Sequence, residues 1–503
     1  MRQITTKPIP KLLAILLVLS AFGCATVVNP VSGKKERTVM DEQAEIVEGQ
    51  QADQQVRAEY GVYENAALQA YVNEVGQKLA ASSQRANLKW TFTLVDSPEI
   101  NAFALPGGYV YMTRGLMAYL NSESELAGVL GHEIGHVTAR HASQRATREA
   151  YAGAGATLIS ILGAVVESRY GVAGAADLAG QTAQTVANTH ILSYGRDQEL
   201  QADKLGADYL ARTNQDPNSM TNVLRVLKAN EAFRDDEVRA TGRQPQRMPT
   251  YLSTHPSNDQ RLQAIAQIAS QYTGKYGDAG HNRYLQKING MTFGDSRAQG
   301  LVRGRNFYHE PLGLTIQAPQ RWQFHNETQQ LLIVSADEEA AVAMQAANTR
   351  GDQSAALNQL AAQLKVENIR TERLNINGLP ATSFTGTSQG NTIEAFAVTL
   401  RGNDFVLRPL AKSAQGRERY RREMQGIIES FRPMNANDAA AARPYTLRTV
   451  TMPHAVAGSA FRTLAQEAVR TADVANAEGQ LRLLNQAYPQ GEIAAGMLVK
   501  TIQ

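Results

Sequence analysis

Cysteine is almost missing from this chain: Cys24 is the one cysteine in 503 residues. An exported protein with one thiol forms no internal disulfide, so any metal site in it draws on histidine and carboxylate. A dominant charge is missing as well. The 50 basic and 47 acidic residues are spread along the chain and leave a formal +3, so no basic footprint is present and no nucleic-acid partner is expected. Self-similarity at a period of about 34 residues is absent, which excludes a helical repeat array. What the chain does have is length and 43% hydrophobic residues, enough for a sizeable core divided among two or three domains.

The start, "MRQITTKPIPKLLAILLVLSAFGC", joins a basic end (Arg2, Lys7, Lys11) to an apolar run from Leu12 to Phe22. That run is too short to cross a bilayer comfortably and has the form of a secretory signal, residues 1–23. Cys24 follows Gly23 where cleavage would fall, which resembles the lipobox of bacterial lipoproteins, whose cysteine is acylated and becomes the first mature residue. Ala21 and Phe22 depart from the usual residues of that box, and an ordinary signal beside a stray cysteine is the competing reading. Ala25 rather than Asp after the cysteine resembles the bacterial sorting pattern for the outer membrane. The expected location is therefore the periplasm, with lipidated Cys24 in the inner leaflet of the outer membrane. Residues 24–40, with "NPVSGKKERTV", have little to bury and are expected to be a polar tether.

From Asp41 to Ala80 helical periodicity dominates, with Leu68, Val72, Val75 and Leu79 three to four apart. "LKWTFTLVD" alternates like a strand, and "NAFALPGGYVYMT" offers two short strands joined by Pro106-Gly107-Gly108, a hairpin. Ser122 with Glu125 three residues on forms a capping box, so a helix is expected from about Asn121. "AYAGAGATLISILGAVV", Ala150 to Val166, suits a buried helix or a segment dipping into a membrane surface. "SYGRDQELQADKLGADYLART" is a further helix, broken by "NQDP". Residues 286–304 are rich in Gly and polar residues and mark a linker; residues 305–434 mix strands and helices as an α+β module. "MNANDAAAARP" makes a second linker before a small module at 445–503.

In "LAGVLGHEIGHVTARHASQR" (Leu126 to Arg145), His132 and His136 stand i, i+4 on one helix face. They lie roughly opposite Leu126, Leu130, Ile134 and Val137, close enough to bind one zinc ion together. Glu133 can then sit beside a metal-bound water without being a ligand. A metzincin needs Gly and His where Ala139 and Ala142 stand, so that class fails; His141 is one residue off the register and is expected to be an exposed helix residue. Glu199 and Asp203 in "ELQAD" are again i, i+4. Glu199 can complete a His, His, Glu site, and Asp203 can orient His132 or His136 by accepting its second ring proton.

Four segments, "NAFALPGG", "HEIGH", "ELQAD" and "STHPSNDQR" (Ser253 to Arg261), follow one another over residues 45–270. Together they resemble the gluzincin metallopeptidases related to HtpX and the CAAX prenyl proteases, in particular their periplasmic BepA-like branch. The resemblance implies that His132, His136 and Glu199 bind one Zn2+ per chain and that Glu133 is the catalytic base. It suggests that Asn101, Ala102, Phe103 and Ala104 belong to an edge strand that pairs with an extended substrate, the competing reading being plain sheet core. His255 is implied as a fourth, displaceable ligand that holds the enzyme inactive, against a loop histidine with no metal role. His255 or Arg261 would stabilise the oxyanion, although Arg261 suits a structural salt bridge equally. The branch's C-terminal tetratricopeptide repeats are absent here, so partners bound through them are not implied. The α+β module is similar to PsbP-type folds, and "LRLLNQAYPQGEIAAGMLVKTIQ" looks like the second half of a LysM-like module, which would suggest peptidoglycan contact.

The expected fold class is α+β: a mainly helical gluzincin metallopeptidase domain with a small sheet at residues 41–285, then the α+β module, then the C-terminal module. The expected function is zinc-dependent hydrolysis of peptide bonds in unfolded or misassembled envelope proteins, as protein quality control. Two rivals remain: an envelope assembly factor or chaperone-like lipoprotein with a latent zinc site, and a non-catalytic lipoprotein binding the cell wall through its C-terminal modules.

Overall fold

The computed structural model describes residues 25–151, 194–241, 251, 255, 259–327, 330–454, 459–472, 474 and 476–503. Cys24, His190 and most of the apolar stretch Ala150 to Val166 lie outside them. Among the described residues, no helix is long and apolar enough to cross a membrane.

From Ala25 on, the stretch expected to be a tether is folded. Ala25–Val28 (β1) and Lys35–Thr38 (β2) pair antiparallel. Between them Asn29 is buried and donates its amide to the Ala139 carbonyl at 3.0 Å. The Thr38 and Thr147 hydroxyls meet at 3.2 Å. Small polar side chains can be buried where the core offers them carbonyl and hydroxyl partners, which composition does not reveal.

Helix α1 (Glu42–Tyr60) begins where the Asp41 side chain accepts the Ala44 N–H. Helix α2 (Ala66–Ala80) starts on Asn65 and buries Leu68, Val72, Val75 and Leu79, the stripe visible in the sequence. A small sheet follows, made of β3 (Thr91–Val95), β4 (Ala102–Leu105) and β5 (Tyr109–Thr113) in the order β3-β5-β4. Strands β4 and β5 form the hairpin expected around Pro106-Gly107-Gly108, and the two glycines take φ of 79° and 98°, which side chains resist. Strand β4 stands at the sheet's edge. Its Phe103 and Leu105 pack with Ala52 and Val56 of α1, while Ala102 and Ala104 turn into the main core.

Among the described residues the short α3 (Arg114–Tyr119) is followed by α4 (Glu123–Thr138), α5 (His141–Tyr151), α6 (Arg196–Arg212), α7 (Asn218–Thr241) and α8 (Asp259–Ser270). The Ser122 hydroxyl accepts the Glu125 N–H, and the Glu125 carboxylate turns back to the Asn121 N–H at 2.6 Å. Helix α4 is buried on every side, and Leu126, Leu130, Ile134 and Val137 enter the main core; each such side chain contributes about 1.5–3 kcal/mol by leaving water. Helix α6 crosses α4 at backbone contact. A Cβ on Gly135 would lie 3.0 Å from the Ala202 carbonyl oxygen, and one on Gly131 would lie 3.3 Å from Gly206 Cα.

Residues 323–411 form a seven-stranded antiparallel sheet. Helix Ala414–Glu429 packs on the face of Phe396 and Val398, and helix Gln353–Gln363 on the opposite face, against Ala395 and Ala397. The chain is thus mixed helix and sheet. The stretch at 286–304 is built into the fold: Thr292–Phe293 pairs with Tyr445–Thr446, and Leu301–Arg303 with Asn306–Tyr308. Residues 445–503 follow the order strand, helix, helix, strand. They do not stand apart, because Leu447, Phe461, Leu481 and Ile502 share one continuous core with Leu130, Leu210 and Leu227.

Candidate metal centre

The tight crossing of α4 and α6 brings three ligand-type side chains to one point. His132 Nε2 and His136 Nε2 are 2.9 Å apart. Glu199 reaches between them, with Oε2 3.5 Å from His132 Nε2 and Oε1 3.4 Å from His136 Nε2. His255 adds a fourth atom: its Nδ1 lies 3.2 Å from His132 Nε2 and 3.0 Å from Glu199 Oε1. One atom from each of these four buried residues falls within 4.8 Å of the others. Three imidazole nitrogens and a carboxylate oxygen, without thiolate, are a donor set suited to Zn2+. The residues therefore fit the metal.

Glu133 is fully buried, and among the described residues neither of its carboxylate oxygens has a hydrogen bond. His255 Nε2 is 3.5 Å from its Oε1. Asp203 settles on one of the two histidines open to it: Oδ1 is 2.8 Å from His132 Nδ1. Arg261 grips both Asp203 oxygens at 2.8 and 2.9 Å, reaches Glu199 Oε2 at 2.7 Å and donates to the His255 carbonyl at 3.1 Å. Of the two places considered for Arg261, the structure shows the salt bridge. Its guanidinium is paired with two carboxylates, one of them that of the cluster residue Glu199.

Burial opposes protonation of His132, yet the Asp203 carboxylate raises it to about 9, helped by Glu199. Burial holds His136 well below the usual imidazole range. Burial works against ionisation of Glu199, but His255, His132 and His136 together keep it far below the ordinary carboxylate range. At neutral pH the cluster therefore keeps a carboxylate and a neutral His136, both in a form that can donate to a cation.

His141 is not the exposed residue expected. It is 0% exposed, with Nδ1 3.0 Å from His136 Nδ1 and Nε2 2.9 Å from Gln201 Oε1. The expectation extended one helix past His136, but α4 stops at Thr138 and Arg140 takes a left-handed φ of 61° before α5 restarts. That kink swings His141 back over His136. Arg140 is held in place by Glu45 at 2.9 Å and the Met40 carbonyl at 2.8 Å.

Two aromatic rings also escaped the sequence reading. Tyr194 stacks on His136 at 3.9 Å between centroids, and Tyr251 on His255 at 4.4 Å. Tyr251 donates its N–H to the Ile100 carbonyl at 2.8 Å, tying the His255 segment to the start of β4. Their only signal in sequence is nearness to the motifs, Tyr194 just before "ELQAD" and Tyr251 just before "STHPSNDQR".

The profile of peptidase family M48 matches residues 66–269, the span that contains every member of this cluster. The beta-barrel assembly-enhancing protease of Yersinia pestis is 35% identical over 218 residues, 43% of this chain and 42% of its own length. The mitochondrial metalloendopeptidase OMA1 of Schizosaccharomyces pombe is 28% identical over 242 residues, 47% of this chain and 64% of its own. The chain thus spans less than two thirds of either relative. Cyanobacterial PsbP from Synechocystis sp. PCC 6803 aligns with 28% of this chain and 98% of its own at 11% identity and a TM-score of 0.21, too low to support an argument. The His, His, Glu cluster and the match around it agree: residues 66–269 are similar to the metallopeptidases of family M48 and hold the whole candidate metal centre.

Proposed function

We propose that the chain is a zinc-dependent endopeptidase acting on unfolded or misassembled proteins of the bacterial envelope, as part of their quality control. The single observation that carries the chemistry is the meeting of Glu199 with the two histidines of α4 beside the unpartnered carboxylate of Glu133. A zinc ion held by His132, His136 and Glu199 supplies Lewis acidity that polarises a scissile carbonyl and makes water easier to deprotonate. Glu133 takes the proton from the attacking water and returns it to the leaving amine. Its lack of any hydrogen bond leaves both oxygens available for that transfer. Asp203, held by Arg261, accepts the Nδ1 proton of His132 and leaves the other ring nitrogen facing the ligands. Among the described residues strand β4 pairs on one side only, so an extended peptide can add to its outer edge along Ala102 to Ala104, next to Asn101.

The envelope setting is supported by the secretory character of residues 1–23 and by relatives named for beta-barrel assembly. Anchoring of the chain to the outer membrane through Cys24 belongs to the same reading. The test pairs metal analysis with peptide cleavage. E199A loses zinc and activity together, whereas E133Q keeps the metal and cleaves at least a thousandfold more slowly, roughly the scale of losing a general base. Cleavage retained by a clean E133Q preparation refutes the mechanism.

A second reading rests on His255. With its Nδ1 against both Glu199 and His132, the site has four protein ligands, the closed pattern of a structural metal rather than the open one of a catalyst. We therefore read this arrangement as a latent state from which His255 must withdraw. H255A should then cleave a disordered substrate such as casein several-fold faster than the unmodified chain at equal zinc content. Equal or slower cleavage argues against latency. Contact of residues 445–503 with peptidoglycan draws support only from the LysM-like sequence, and a sedimentation assay with isolated cell wall decides it.

A further inference from the structure

A metal-binding imidazole is useful in only one of its two neutral tautomers, and the group on its far nitrogen selects which one. The two histidines of α4 face different selectors. Asp203 Oδ1 sits 2.8 Å from His132 Nδ1, and an ionised carboxylate only accepts, so His132 holds a proton on Nδ1 and Nε2 is the nitrogen left for a metal. His136 Nδ1 instead faces His141 Nδ1 at 3.0 Å, a nitrogen that either donates or accepts. The decision is passed one bond further, to His141 Nε2 and the Gln201 side-chain oxygen 2.9 Å away.

An amide oxygen cannot donate, so the proton between these two belongs to His141 Nε2. Buried at 0% exposure among uncharged partners, His141 is neutral, and its Nδ1 is then a lone pair. That lone pair accepts from His136 Nδ1–H. His136 Nε2 is left bare, facing Glu199 and His132. If the Gln201 amide is turned over, every bond in the series reverses and a proton lands on His136 Nε2, inside the ligand cluster.

We infer that Gln201, acting through His141, is a positioning residue for the metal site: its side-chain oxygen holds His136 in the one tautomer able to bind a metal ion. The inference deepens the metallopeptidase reading above and rests on it. It also divides the site into two unequal arms. On the side away from the cluster, His132 Nδ1 is fixed by a charged pair, Asp203 with Arg261, and His136 Nδ1 by the uncharged His141 and Gln201. Helix α6 governs both, since Glu199, Gln201 and Asp203 all stand on its first half.

The experiment uses the full chain stripped of metal with a chelator, and two readouts that need no catalysis. One is zinc affinity by competition with a chromophoric chelator; the other is the tautomer of His136 from its ring nitrogen shifts by NMR. Q201M keeps the length of the side chain and the helix propensity while removing the oxygen, and its melting temperature serves as the control for folding. It should bind zinc about ten- to a hundredfold more weakly, the usual effect of losing an outer-shell partner, and should show His136 protonated in part on Nε2. H141N in the Q201M background places an amide oxygen where His141 Nδ1 stood and should restore the tautomer and most of the affinity. An unchanged His136 tautomer in Q201M overturns the inference whatever the affinity does. If the unmodified chain binds no zinc, the metallopeptidase reading falls on its own, and the tautomer measurement still judges the relay.

Discussion

Glu99 shows how burial beside a second carboxylate makes an ordinary carboxyl respond to pH. It lies just before the hairpin of β4 and β5, and burial, with Glu59 adding to it, pushes its carboxyl up to about 7. One of its oxygens, Oε2, is buried without a hydrogen-bond partner. The folded chain therefore holds a proton there that the unfolded chain, at its ordinary 4.5, has already released. Such a group contributes stability that is fully present below the unfolded value and is lost as pH rises through the folded one. E99Q should melt together with the unmodified chain near pH 4 and above it, by about 2 °C or more, at pH 8. Melting curves that run parallel across that range would show that Glu99 is solvated. His132, His136, Glu133 and Glu199 were legible in the sequence because their spacing is chemical. His141 was not, because its place depends on a kink.

The crossing of α4 and α6 is the element on which the site depends. Three glycines, Gly131, Gly135 and Gly206, with Ala202, let the two backbones touch, and this contact sets how far Glu199 stands from the histidines. G135V forces a branched side chain against the Ala202 backbone. It should cost about 1–3 kcal/mol of stability, and zinc affinity should fall with it because the two ligand-bearing helices separate. A chelator titration showing unchanged affinity would mean that the ligands are placed by something other than this contact. The start of α4 was legible from Ser122 and Glu125, and the hairpin from Pro106-Gly107-Gly108, since both signals are local. The end of α4 was not. Arg140 takes a left-handed backbone there, and its guanidinium is received by Glu45 and the Met40 carbonyl, about a hundred residues earlier.

The whole molecule is joined more tightly than its segments suggest. Lys500, fully buried, donates to the carbonyls of Ala118 at 2.6 Å and Leu120 at 2.8 Å, directly ahead of α4. Asn121 donates to the Leu484 carbonyl at 3.0 Å, and Gln486 to Glu125 Oε2 at 2.8 Å. The last segment thus holds the cap of the helix that bears the metal ligands. A chain ending at residue 444 would expose the apolar partners of Leu447, Phe461 and Ile502 and leave these polar groups unmatched. It should fail to give a cooperative melt or to bind zinc stoichiometrically. A folded, zinc-binding truncation would show instead that 445–503 is an appended module.

What the amino-acid order determined by itself was everything with a short period: helical stripes, the cap at Ser122, the glycine turn and the two i, i+4 pairs, His132 with His136 and Glu199 with Asp203, on their helices. Each follows from backbone geometry over a few residues, so no distant partner is needed to read it. The fold alone decided which partners meet across long separations. It seated Asp203 on His132 and His141 on His136, paired Arg261 with Asp203 and Glu199, buried Asn29 in a stretch that looked unstructured, and folded the C-terminus onto the cap of α4. Those outcomes depend on which groups lose water together, and that is a property of the assembled core rather than of any local stretch of chain.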